Sequence, residues 1–352
     1  MSVPVEIFRP ELRSLSPYRA ATYEAGLVRL NANEVPWAST GAEGLNRYPP
    51  VRPDALTSRL AEHYDVADDR LLVTRGSSEA IELLIRAVCR PAEDQVIVCP
   101  PTFGMYAHYA QVQGAGIVEV PLRAEAGFAL DTAAIRNARN DHTRLLFLCS
   151  PNNPTGNSMC VQDVVELCAI MDGSGLVVVD AAYAEFADNT AELMGLLDRY
   201  PHLVILRTLS KALGLAGVRC GALLSSPEVA DYVGRIMPPY AFSTPCAAAV
   251  MVALEPEARA AADEQLAGIR QERTRLAARL NEHPLISRVW PSDANFILIE
   301  TPEPARLMAA AKAGGVLIRD FSDSPWTPGC IRITVGRTPE NDQLLAALDT
   351  GT

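Results

Sequence analysis

Between residues 70 and 225, short apolar runs alternate with stretches whose apolar side chains recur every three or four positions. That rhythm predicts strands separated by amphipathic helices, and hence an α/β domain with a mostly parallel sheet covered on both faces. The strand candidates are Leu71–Val73, Val96–Cys99, Gly116–Val120, Leu145–Cys149, Leu176–Asp180, Leu203–Arg207 and Cys220–Leu224. Several are apolar at every position, as strands buried on two faces must be. In the first helix Ile81, Leu84, Ile85 and Val88 form one stripe, Glu79 suits the first turn, and Ser77 or Ser78 can cap it. Its N-terminus faces the carboxyl edge of the sheet, where open α/β sheets bind ligands.

After Pro245 the pattern changes. Leu266, Ile269, Arg273, Leu276 and Leu280 keep helical spacing, and strands are expected at Asn295–Glu300, Val316–Asp320 and Ile331–Val335. Residues 246–352 therefore read as a smaller α+β domain beside a large domain spanning 46–245. Residues 1–45, Pro-rich and weakly periodic, are expected to drape over the smaller unit as an arm. A length of 352 residues suits two cores better than one.

Composition then narrows the function. With 49% hydrophobic and 21% charged residues and no long biased tract, the chain has the profile of a globular protein. Its net charge of -11 opposes a polyphosphate backbone or an anionic membrane, so neither nucleic acid nor membrane is an expected partner. An anionic ligand would need local Arg side chains and helix N-termini. Eight Cys residues without a Cys-x-x-Cys pair read as buried free thiols, and five scattered His residues offer no metal site. The N-terminus lacks a cationic stretch followed by an apolar one, and no apolar run approaches about 18 residues, so a reducing cytoplasm is the expected location.

Three polar clusters follow predicted strands. Ser150-Pro-Asn-Asn-Pro-Thr-Gly156 comes after Leu145–Cys149 and by itself reads as a turn. Asp180 ends an apolar strand, a costly place for a carboxylate unless a cation such as a protonated ring nitrogen meets it. Thr208-Leu-Ser-Lys-Ala-Leu-Gly-Leu-Ala-Gly-Val-Arg-Cys-Gly221 sets Lys211 between a buried strand and an apolar segment. Desolvation there would lower its pKa and free the amine to condense with an aldehyde. Gly214 and Gly217 do not give the Gly-x-Gly-x-x-Gly spacing of a dinucleotide loop.

These clusters join Arg13-Ser-Leu-Ser-Pro-Tyr18, Leu30-Asn-Ala-Asn-Glu34, Asn46-Arg-Tyr-Pro49, Thr74-Arg-Gly-Ser-Ser-Glu79, Pro100-Pro-Thr-Phe-Gly-Met-Tyr106 and Ile331-Arg-Ile-Thr-Val-Gly336. Over nearly its whole length the chain thereby resembles the histidinol-phosphate aminotransferase family, fold-type I enzymes of the class I/II aminotransferases that depend on pyridoxal 5'-phosphate. The resemblance implies a fold-type I transferase in which Lys211 carries the cofactor and moves a proton between substrate and cofactor. It implies Asp180 at the ring nitrogen, Asn153 and Tyr183 on the ring hydroxyl, and Phe103 stacked on the ring. The cofactor phosphate would lie on the N–H groups of Ser77 and Ser78, with Thr208, Ser210, Arg219 and, from the neighbouring subunit, Tyr48. A homodimer with shared active sites follows from that resemblance.

By the same resemblance, Arg332 would grip the α-carboxylate of glutamate or 2-oxoglutarate, and Arg319 with Tyr18 the phosphate of L-histidinol phosphate, with Asn33 also at the substrate. The implied reaction exchanges the amino group between these molecules in histidine biosynthesis. Two positions depart from the family pattern: Ala181 stands where Glu is common, and Phe103 where Tyr is common. Both bear on discrimination between an imidazole and another aromatic ring. The competing readings are an aromatic amino-acid aminotransferase, a phospho-amino-acid decarboxylase of the same fold, and a non-catalytic cofactor-binding module. The last is usually joined to a basic nucleic-acid-binding segment, which this chain lacks.

Overall fold

The computed structural model describes residues 3–18, 21 and 26–350. Seven strands form within or next to the seven predicted segments: β1 (Leu71–Thr74), β2 (Gln95–Val98), β3 (Gly116–Glu119), β4 (Thr143–Cys149), β5 (Leu176–Asp180), β6 (Leu203–Thr208) and β7 (Gly221–Leu224). They build one sheet in the order β1-β7-β6-β5-β4-β2-β3, parallel except that β7 runs antiparallel to both its neighbours.

Alternation along each strand feeds two cores. Ile97, Leu146, Val177 and Ile205 enter one cluster, whereas Val96, Leu145, Leu176 and Val204 enter the other on the opposite face. Because both faces are covered, polar groups at the carboxyl ends of β1, β4, β5 and β6 have one exit, the sheet edge.

The second sheet contains β8 (Arg288–Val289), β9 (Phe296–Glu300), β10 (Arg319–Asp320) and β11 (Cys330–Thr334), all antiparallel in the order β10-β11-β9-β8. Leu276 and Leu280 of the Pro256–Asn281 helix, Leu307, Leu344 and Leu348 pack with Ile297, Ile299, Ile331 and Ile333. The strand expected over Val316–Asp320 shrinks to its last two residues. Val316 N–H donates to Ala311 O and so closes the preceding helix, and Leu317 stands 87% exposed.

Three other expectations change. Val3, Ile7, Phe8 and Leu12 lie not on the smaller unit but among Ile81, Val229 and Val233, with Phe8 stacked 4.2 Å from Tyr232; these apolar side chains find burial on the larger sheet's helices. The cap of the Ser77–Val88 helix is Gly76, at φ 78°, and Ser77 is its first residue. Six thiols are buried, but Cys160 is exposed and Cys246 half-buried; Cys160 is the N-cap of the Val161–Met171 helix. Among the described residues no helix is long and apolar enough to cross a membrane.

Candidate active site

A cavity of about 760 Å³ opens at the carboxyl ends of β1, β4, β5 and β6 and is closed on its far side by β10 and β11. Ser77, Ser78, Phe103, Asn153, Asp180, Tyr183, Thr208, Ser210, Lys211, Arg219, Arg319 and Arg332 all border it, although the chain separates the first from the last by about 250 residues. Tyr18, Asn33 and Tyr48 are not among its lining residues. Tyr48 instead stacks on Tyr240, with ring centres 4.7 Å apart, and Tyr18 meets the same ring edge-on at 6.4 Å. Asn33 is exposed, outside any helix or strand, with φ 58°.

One end of the cavity is built to receive an anion. The first-turn N–H groups of Ser77 and Ser78 face it, and Arg219, held at φ 59°, extends its guanidinium over Gly76. Arg219 Nη1 donates to Ser210 Oγ at 3.3 Å and to Ala216 O at 3.1 Å, while Thr208 Oγ1 donates to Cys220 O at 3.2 Å and accepts Ser210 N–H at 3.2 Å. The hydroxyls are thereby fixed around the helix terminus.

Gly76 makes this arrangement possible. A Cβ there would lie 2.7 Å from Arg219 Nη2, in a backbone conformation that side chains rarely adopt. Gly76→Ala should therefore push the guanidinium off the helix and weaken binding of a phosphate-bearing ligand about tenfold. Calorimetric titration checks this, and unaltered affinity would remove Arg219 from the anion site.

At the base of the cavity Asp180 is buried, with one hydrogen bond to each oxygen: Tyr106 Oη donates to Oδ2 at 2.9 Å and Ala182 N–H to Oδ1 at 3.2 Å. Burial pushes its carboxyl up to about 6, opposed by those two donors and by the Lys211 cation. The Lys211 side chain is more open than its apolar neighbours in sequence suggested, because the cavity itself exposes it. Partial desolvation lowers its pKa first, then the Arg332 and Arg219 cations, against the pull of Asp180. Its Nζ sits 5.5 Å from the centre of the Tyr183 ring. An accessible amine with a lowered pKa beside a buried carboxylate is suited to nucleophilic attack and proton transfer.

The opposite wall is cationic. Arg319 and Arg332 are directly paired across β10 and β11, so two like charges face the same space. Arg332 lies between two rings, its guanidinium carbon 5.2 Å from the centre of Phe296 and 5.3 Å from that of Phe321. Its Nη1 donates to Asn153 Oδ1, its buried Nε has no partner among the described residues, and burial and Arg319 both lower its pKa. A second anion would satisfy this end.

Sequence reading missed Thr102, Met105, Cys149, Phe321 and Ser324, which also line the cavity, and Tyr106 beneath it. Phe321 and Ser324 fall between β10 and β11 and carry no periodic signal. Tyr106, in the first turn of the Met105–Gln113 helix, meets the Phe103 ring edge-on at 5.7 Å, but Phe103 lies before that helix and the pair gives no periodic signal.

The family model for "Aminotransferase class I and II" matches residues 28–348. The chain is a class I and II aminotransferase. It is 39% identical over 355 residues to the histidinol-phosphate aminotransferase of Pectobacterium carotovorum, covering 99% of this chain and 98% of that protein. A crystal structure of the histidinol-phosphate aminotransferase from Sinorhizobium meliloti, in complex with pyridoxal-5'-phosphate, superposes with a TM-score of 0.75 at 26% identity, over 88% of this chain and 84% of that one. The corresponding structure from Clostridium acetobutylicum has a TM-score of 0.79 at 22% identity, covers 88% of this chain and 92% of that one, and speaks to the fold alone. The aminotransferase thus has the fold-type I architecture expected from its motifs.

Proposed function

We propose that this aminotransferase exchanges the amino group between L-histidinol phosphate and 2-oxoglutarate, a step of histidine biosynthesis, with pyridoxal 5'-phosphate as cofactor. The observation that carries the reading is the cavity's pair of cationic ends: a helix N-terminus with Arg219 at one, and Arg319 opposite Arg332 at the other. The residues fit the cofactor, since a phosphate cradle, a buried carboxylate and an accessible amine share one space of adequate volume. When bound, the cofactor supplies a ring that accepts the electron pair left on the substrate carbon.

The chain's own groups do the rest. Ser77, Ser78, Thr208, Ser210 and Arg219 bind the cofactor phosphate, and Phe103 packs on the ring face. Asp180 holds a proton on the ring nitrogen, while Asn153 and Tyr183 hydrogen-bond the ring hydroxyl. Lys211 Nζ anchors the cofactor and then moves the proton at the substrate carbon. Arg332 takes the carboxylate of the glutamate/2-oxoglutarate pair, and Arg319 takes the phosphate of histidinol phosphate, with Tyr18 and Asn33 at the rim.

This reading includes a homodimer in which Tyr48 of the partner subunit completes the phosphate site. It is supported by apolar side chains left bare along the arm, Leu30 at 88% and Trp37 at 68% exposure, and by the placement of Tyr48 outside its own cavity. It also includes a large domain over residues 46–245, a small one over 246–352, an arm formed by 1–45, and a reducing cytoplasm in which all eight thiols stay unpaired.

Adding substrates separately to the cofactor-loaded protein tests the substrate. Histidinol phosphate should discharge the visible band at a concentration at least roughly tenfold below that needed with phenylalanine. Equal responses would give the site to an aromatic aminotransferase, and release of carbon dioxide would give it to a decarboxylase.

A further inference from the structure

Asp180 has one side-chain hydrogen bond among the described residues, and it comes from outside the set of groups that line the cavity. Tyr106 is the second residue of the Met105–Gln113 helix and is fully buried. Its ring lies flat against Phe147, with centres 4.9 Å apart and planes 2° from parallel, and its edge meets Phe103 at 83°. Packed from both directions, the ring cannot swing, and its hydroxyl meets Asp180 Oδ2 at 2.9 Å.

We propose that Tyr106 is a positioning residue of the aminotransferase: it fixes the orientation of the Asp180 carboxylate and favours its ionised form, through a hydrogen bond that its two packed aromatic neighbours hold in place. The inference deepens the reading above and rests on Asp180 serving the ring nitrogen.

The energetics of the site point the same way. Burial opposes charge on Asp180, and the Tyr106 hydrogen bond heads the influences that restore it, ahead of the Ala182 N–H and the Lys211 cation. The titratable groups facing Asp180 are Tyr106 from its helix, Cys149 from β4, Tyr183 after β5 and Lys211 after β6, with Arg219 and Arg332 acting on Lys211. Burial pushes the Cys149 thiol up to about 12 and raises both tyrosines, so these three stay neutral near pH 7 and, among the described residues, Lys211 is the one cation directly acting on the carboxylate. When Lys211 is committed to the cofactor, the oriented hydroxyl and the Ala182 N–H remain to hold the carboxylate. A hydroxyl donating to a buried carboxylate is a strong hydrogen bond, and its loss leaves Oδ2 without its one side-chain donor among the described residues.

Tyr106→Phe removes this oxygen and keeps the stack on Phe147. It should fold with an unaltered circular dichroism spectrum, raise the dissociation constant for pyridoxal phosphate about tenfold, and move the pH midpoint of the bound cofactor's visible band. Turnover should fall about tenfold in kcat with KM little changed. Combined with Asp180→Asn, it should add almost nothing to the effect of Asp180→Asn alone.

Three results would overturn the proposal: Tyr106→Phe matching the unchanged chain in cofactor affinity and band midpoint, its full effect persisting in the Asp180→Asn background, or its failure to fold, which would make the residue structural. If the unchanged chain gives no cofactor band at all, the functional reading fails. If that band is present and Tyr106→Phe leaves it and the affinity as they were, this inference alone fails.

Discussion

Lys211→Ala yields a protein that takes up pyridoxal phosphate reversibly but loses the visible band of the anchored cofactor, with kcat reduced by at least about a thousandfold. The expectation follows from position. Lys211 is the amine at the base of the cavity, next to Tyr183 and electrostatically coupled to Asp180. Arg219 and Arg332, the cations that act on it among the described residues, border the two anion sites, and a guanidinium is a poor proton carrier. Absorbance spectra before and after gel filtration, with a turnover assay, decide the matter. A variant that keeps both the band and the rate would remove Lys211 from the chemistry.

Asp180→Asn should cut kcat by roughly a thousandfold and yet make the cofactor-free protein more stable at alkaline pH. The sign follows from the raised carboxyl. A group pushed from 3.8 to about 6 in the folded state favours folding most below its ordinary value, and that contribution is lost as the pH rises to about 6. Above that pH the buried charge costs on the order of 3 kcal/mol, which Asn avoids. Calorimetric melting of the cofactor-free forms should show the variant a few degrees higher at pH 8, with the difference closing below about pH 4. A lower Tm at pH 8 would mean that the carboxylate is stabilised in ways its two hydrogen bonds do not reveal.

Most of the large sheet was readable because its inner strands are apolar at nearly every position, unlike the exposed β3, so each announced itself without help from its neighbours. The carboxyl-edge groups were readable for the same reason: Asp180 and Thr208 end such runs, and polarity there needs an explanation. The smaller sheet was harder. β8 and β10 are two residues each, too short for a period, and their pairing depends on β9 and β11. Gly76 escaped notice as a cap because two serines follow it and propensity favours them. Tyr106 carried no signal of its own: an aromatic in the first turn of a helix reads as core, which it also is. The arm's first residues were misplaced because four apolar side chains in a weak pattern do not say which surface will bury them.

The direct pairing of Arg319 with Arg332 has a consequence for how the pocket counts its guests. Two positive side chains rooted on the same rung of one ladder share one wall of the cavity, so each negative charge that arrives there also relieves the repulsion between them. The rigid backbone thereby grades visitors by valence before shape is consulted, and a molecule of the right outline lacking a phosphate or carboxylate meets a wall that repels itself.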